Sequence, residues 1–218
     1  MDDTVAIGAT GMTPMDSAVA LVQAYLRVNG YFTVTEYPVI ARGNGGAYRT
    51  ATDLDVLAVR FPHSGHIVPG STQGRDEDHN VIDNALDVPV GEPDMLVGEV
   101  KEGRAELNDA ARDPGVLRSV LVGFGCCRLS EAPRIVEDLL RDGHARLPNG
   151  HLIRTVVFAS TPADSAVRKY LFVSLGHVAN FLRSYLDEHW EVLRHADSKD
   201  QAFGFLMTLA KAERGLST

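Results

Sequence analysis

The chain has 218 residues, 44% hydrophobic and 23% charged, which excludes a mainly disordered polypeptide and is long enough for one substantial core. No stretch approaches the roughly 18 consecutive apolar residues that cross a bilayer, and the acidic start Met1-Asp2-Asp3 lacks the regions of a signal peptide, so a cytoplasmic protein with no membrane partner is expected. The net charge of −8 argues against a general nucleic-acid coat, but residues 51–110 hold thirteen acids against four bases, so the acidity is local and the remainder is close to neutral.

Thr13 and Pro14 read as the cap and first position of a helix, with Asp16 in its first turn. Ala18, Leu21, Val22, Tyr25 and Leu26 then recur at helical spacing and Gly30 follows as a stop. From Tyr31 to Ile40 the residues are aromatic and β-branched, the mark of a strand, and Arg42-Gly43-Asn44-Gly45-Gly46 has hairpin chemistry. Asp53 to Arg60 is a second strand. Residues 62–93 show no sustained period and form a long acidic insertion with three histidines, the kind of loop that is usually functional or mobile. Pro93-Asp94 is expected as a turn, and Met95 to Lys101 as the third strand.

Asp113 and Pro114 start a helix bearing Val116, Leu117, Val120, Leu121 and Phe124, and Ser130 is placed to cap another that ends at Gly143. Strands are expected over His151–Ser160 and Lys169–Ser174. Two amphipathic helices close the chain in a 175–218 extension, and their Phe181, Trp190, Phe203 and Phe205 are expected in the core, with a homodimer through these helices as the alternative. Adjacent Cys126 and Cys127 offer neither a disulfide framework nor a cysteine zinc site and are expected reduced and buried. With no repeat and no Ser/Gly linker, residues 1–218 read as a single α/β domain. Its first three strands suit an antiparallel meander, and the later ones follow helices and can add in parallel.

Chemistry gathers on the second and third strands. Strand alternation places Glu99 with Lys101 on one face and Asp53 with Asp55 on one face, so on neighbouring strands the acids and the lysine can converge. Carboxylates on a buried strand are costly unless a cation or donors meet them. Two carboxylates plus water suit a hard divalent ion, Mg²⁺ or Mn²⁺.

The run Asp53-Leu54-Asp55-Val56-Leu57-Ala58, followed by Val97-Gly98-Glu99-Val100-Lys101 after a helix and a strand, resembles the PD-(D/E)XK nuclease superfamily. That resemblance implies a restriction-endonuclease-like core of helix, three-strand antiparallel meander, helix and parallel strand, carrying two extra C-terminal helices here. It implies that Asp55 and Glu99 bind magnesium or manganese, that the backbone carbonyl of Val100 is a further ligand, and that Lys101 orients or activates the attacking water. Asp53 matches an auxiliary acid. The expected activity is metal-dependent hydrolysis of phosphodiester bonds in DNA or RNA, the alternative being a catalytically inactive nuclease-fold protein that acts as a binding module. The chain departs from the pattern in lacking a proline before the aspartate and in spacing Asp55 and Glu99 by 43 intervening residues.

Other signals are weaker. His63, His66 and His79 with nearby Asp76 and Asp78 could form a second metal site, against a plain polar loop. Seventeen of the 21 bases are arginine, and Arg104, Arg112 and Arg118 after the Glu-x-Lys motif make a weak basic patch for a nucleic-acid backbone. A solvated mixed-charge face is the plainer reading of that patch.

Overall fold

Helix α1 (Ser17–Val28) starts where the Asp16 side chain accepts a hydrogen bond from the Ala18 N–H at 2.7 Å, and it ends at Asn29, with Gly30 beyond it in the left-handed region (φ 82°). Asp16 is therefore the cap rather than a first-turn acid; Thr13 and Pro14 lie outside the described residues. The structure, a computed structural model, describes residues 16–42, 46–65, 67–68, 77–78, 81–147, 149–163 and 169–215.

Strands β1 (Phe32–Arg42) and β2 (Tyr48–Arg60) pair antiparallel, two short strands β3 (Ile67–Val68) and β4 (Glu77–Asp78) pair with each other, and β5 (Asp94–Arg104) pairs antiparallel with β2. After helices α2 (Pro114–Gly123) and α3 (Ala132–Asp142) come β6 (His144–Arg146), β7 (Leu152–Thr161) and β8 (Leu171–Ser174). The main sheet runs β1-β2-β5-β7-β6, and β8 joins it along the later part of β7. Strand β7 lies parallel to β5 and to β8 and antiparallel to β6, so the sheet is mixed and β5 is central. The meander and the later parallel additions follow the expectation, whereas β6 had no counterpart in it.

Helices cover both faces. Tyr25, Val56, Leu96, Phe158 and Leu182 pack in one cluster against α1, α4 (Leu175–Glu188) and α6 (Gln201–Glu213); Leu57, Val97, Leu121, Ile135 and Ile153 pack in another against α2 and α3. Each fully buried side chain of this size contributes about 1.5–3 kcal/mol. Helix α2 has the expected cap, Asp113 accepting from the Gly115 and Val116 N–H groups, with Pro114 at its first position. Helix α3 is preceded by Glu131, which makes no side-chain cap bond, instead of the expected Ser130, and it stops at Gly143.

Several expectations need correction. Asp94 is the first residue of β5, not part of a turn. Its carboxylate is buried against Arg154 of β7 at 2.6 and 2.9 Å and accepts the Tyr31 hydroxyl at 2.5 Å, partners that let a charged residue enter a central strand. The later part of the 62–93 insertion is built into the core: Leu86 is fully buried, and Asp83 accepts hydrogen bonds from the Tyr25 hydroxyl and the Ala85 N–H while pairing with His177.

On α6, Phe203, Met207 and Ala210 form the inward stripe. Phe205, about 200° further round the helix from Phe203, is 63% exposed rather than in the core. Trp190, which opens the short α5 (Trp190–Leu193), and Phe203 are buried, and Phe181 packs against the cluster. Cys126 and Cys127 are free as expected but only half-buried, and burial pushes the Cys126 thiol up to about 11. Among the described residues no helix is long and apolar enough to cross a membrane.

Candidate metal centre

The β2–β5 ladder runs from Arg60 opposite Asp94 to Val56 opposite Gly98, and the next pair in that register is Asp55 with Glu99. Gly98 permits the close approach, since a Cβ there would lie 3.3 Å from the Val56 Cβ. Beyond it a side chain replaces the ladder bond: Asp55 Oδ2 accepts the Val100 N–H at 2.7 Å. A carboxylate is thereby fixed at the end of a central ladder, beside the strand that carries Glu99.

Glu99 is 1% exposed, on a strand flanked by β2 and β7, so it is not half of an edge-strand surface pair. Lys101 Nζ stands 2.6 Å from its Oε1, and neither carboxylate oxygen meets a donor in hydrogen-bond geometry among the described residues. Burial pushes the Glu99 carboxyl above the ordinary glutamate range and the Asp55 charge adds to this, while Lys101 and the Asn108 N–H pull the other way. Asp55 is also held up, first by burial and further by the charges of Asp16 and Glu36, against the Val100 N–H and Lys101. Burial disfavours the charged form of Lys101, but Glu99, Asp55 and Glu106 outweigh it and hold the ammonium above its ordinary value. Lys101 is therefore a proton donor at neutral pH and not a proton acceptor.

Glu36 carries no sequence signal beyond being the lone acid in an apolar and β-branched run. It falls opposite Asp55 in the β1–β2 register, between the Thr35–Val56 and Tyr37–Leu54 pairs, with a left-handed backbone (φ 52°). Such a conformation is uncommon outside glycine, asparagine and aspartate.

The remaining candidates are dispersed. Asp53 is exposed opposite Pro38, and the charges that act on Asp55 come from elsewhere. Strict alternation does not hold along β2, because Leu54 and Leu57 join the same cluster. Arg104, Arg112 and Arg118 are all exposed, at the end of β5, before α2 and on α2. His63 is exposed, His66, Asp76 and His79 lie outside the described residues, and among the described residues no group of three or more His, Cys, Asp or Glu side chains is placed to hold a metal. What the sheet brings together is Asp55, Glu99 and Lys101. Two carboxylates, one of them buried with no well-aligned donor among the described residues, are the kind of oxygen ligands that suit a hard divalent cation keeping part of its water shell.

No family profile, no curated protein and no solved structure matches this chain.

Proposed function

We propose that the chain is a metal-dependent nuclease of the PD-(D/E)XK superfamily that hydrolyses phosphodiester bonds, with Asp55 and Glu99 as the ligands of Mg²⁺ or Mn²⁺ and Lys101 as the residue that orients the attacking water. The observation that carries this reading is the Glu99 carboxylate, buried on a central strand beside Asp55, with an ion pair to the partly exposed Lys101 and no well-aligned hydrogen-bond donor among the described residues. A protein built for stability alone seldom keeps such a group, because burying a charge with incomplete partners costs several kcal/mol, about as much as several well-made hydrogen bonds return. The order of helix, antiparallel three-strand meander, helices and parallel strand supports a restriction-endonuclease-like core.

The chain's own groups divide the work. Asp55 is immobilised by the Val100 N–H, leaving its other oxygen for a ligand, and Glu99 is immobilised by its surroundings. Lys101, 36% exposed at its side chain, reaches from the buried carboxylate toward solvent and can donate to a phosphate oxygen or to the water that attacks the phosphorus. A divalent cation bound by the two carboxylates supplies charge neutralisation at the phosphate and acidifies water. The acids clustered around the site repel one another, a repulsion that a bound cation would relieve.

Cleavage of labelled single- and double-stranded DNA and RNA in Mg²⁺ and in Mn²⁺ tests the reading. Turnover by the native chain, loss of at least 100-fold in Lys101→Met and complete dependence on added metal are expected. Binding without cleavage of any of the four substrates would instead identify a nuclease-fold binding module.

A further inference from the structure

A groove of about 630 Å³ lies between β2 and α2, lined by Val39, Ile40, Arg49, Ala51, Arg118 and Leu129 among others. It opens on the sheet face that carries the candidate centre, for Val97 packs in the α2 cluster and Glu99, two residues further along β5, shares that face. Along β2, Ala51 and Arg49 are four and six residues from Asp55, distances of roughly 13 and 20 Å at a strand's rise per residue. Groove and centre thus lie along the same strand, with the exposed Asp53 between them.

The charges in the groove run against those of the chain. Its charged lining consists of Arg49, Arg118 and Asp113, and Asp113 Oδ1 is already engaged by the Gly115 and Val116 N–H groups at 2.7 and 2.9 Å. Arg49 and Arg118 are exposed, and neither forms an ion pair among the described residues. In a protein of net charge −8, this surface presents two guanidinium groups with no ion-pair partner among the described residues, over a floor formed by the buried Val39 and Val116. Guanidinium forks match phosphate oxygens, and exposed Ile40 and Leu129 give the less polar sugars a surface to rest on.

We infer that this groove is the track for the phosphate backbone of the nucleic-acid strand, with Arg49 and Arg118 positioning the strand whose phosphodiester reaches Asp55 and Glu99. The inference rests on the nuclease reading of that centre.

Fluorescence anisotropy of a labelled 20-nucleotide DNA, single-stranded and as a duplex, in EDTA and between 50 and 200 mM salt, tests the groove without involving the metal. Arg49→Gln/Arg118→Gln should bind more weakly, and its slope of log affinity against log salt on duplex should be shallower by about 1.8, at about 0.9 per lost phosphate contact. Over that fourfold salt range the native affinity then falls about twelvefold further than the variant's. A double variant with native affinity and native slope overturns the inference, as does a native chain that binds neither DNA in EDTA. Thermal melting with and without Mn²⁺ separates the two readings. If the Mn²⁺ stabilisation persists while the arginines prove irrelevant, the groove fails alone; if DNA binding depends on the arginines but Mn²⁺ gives no stabilisation, the nuclease reading fails alone.

Discussion

Replacing Glu99 by glutamine should make the metal-free protein more stable and the metal-loaded protein less stable, so that the two chains exchange rank when metal is added. Glutamine has the size of glutamate, so no cavity opens, and its carbonyl oxygen can still face Lys101. The charge that disappears is 1% exposed, and its partner Lys101, 2.6 Å away, is partly in solvent, so the loss of that pair is smaller than the several kcal/mol that burying the carboxylate costs. Relief of desolvation should outweigh that loss by about 1 kcal/mol, which for a chain of this length raises the melting temperature by about 2–4 °C. The native chain, in contrast, should gain about 2.7 kcal/mol when free Mn²⁺ stands at 100 times its dissociation constant. Thermal melts at pH 7 in EDTA and in Mn²⁺, on both proteins, supply the four values. If the glutamine variant is less stable than the native chain in EDTA by 1 kcal/mol or more, the carboxylate is a structural partner of Lys101 and the reasoning about an unsatisfied site is wrong.

Two further outcomes concern the frame around the site. Arg154→Met strands the Asp94 carboxylate, fully buried with Tyr31 as its remaining donor, and should cost about 3–5 kcal/mol in urea unfolding; adding Asp94→Leu should recover most of it, and a single-variant loss below 1 kcal/mol contradicts the buried-pair account. Burial alone would raise the Asp83 carboxyl, but the Ala85 N–H, the Tyr25 hydroxyl and His177 together hold it below the usual aspartate range, so the folded state binds its proton less readily than the unfolded state. Its stabilisation is thus complete above the ordinary carboxyl value of about 3.9 and fades as the pH falls through the lower folded value. The stability gap between the native chain and Asp83→Asn should therefore shrink as the pH falls below about 4, and a gap that widens there refutes the assignment.

How far the chain could be read without coordinates depended on the range of the interactions. Local signals held: Asp113 and Pro114 start α2, Gly143 stops α3, and the apolar runs around Asp55 and Glu99 place both on adjacent antiparallel strands. The acid-lysine pairing of Glu99 and Lys101 also followed from a two-residue strand repeat. What failed depended on distant partners. Pro93-Asp94 reads as a turn because it stands only five residues before Glu99, while Arg154, the partner that admits Asp94 to β5, lies 60 residues away. The segment around Asp83 reads as loop because Tyr25 and His177 of α1 and α4, and Asn29 at the end of α1, hold it from a distance. Asp53 and Asp55 share a face only under regular alternation, which β2 does not keep between Leu54 and Leu57. Glu36 stayed hidden for a related reason, since its approach to Asp55 requires a left-handed residue within β1 that no local signal announces.

In the proposed nuclease, Asp55 and Glu99 together hold one divalent ion. Counting bound Mn²⁺ by electron paramagnetic resonance, across a titration of the native chain and of Asp55→Ala, tests it without reliance on any substrate. The account predicts one Mn²⁺ bound per native chain and none retained by the folded variant over the same range. A native chain that binds no Mn²⁺, or an Asp55→Ala chain that binds it as tightly, contradicts it.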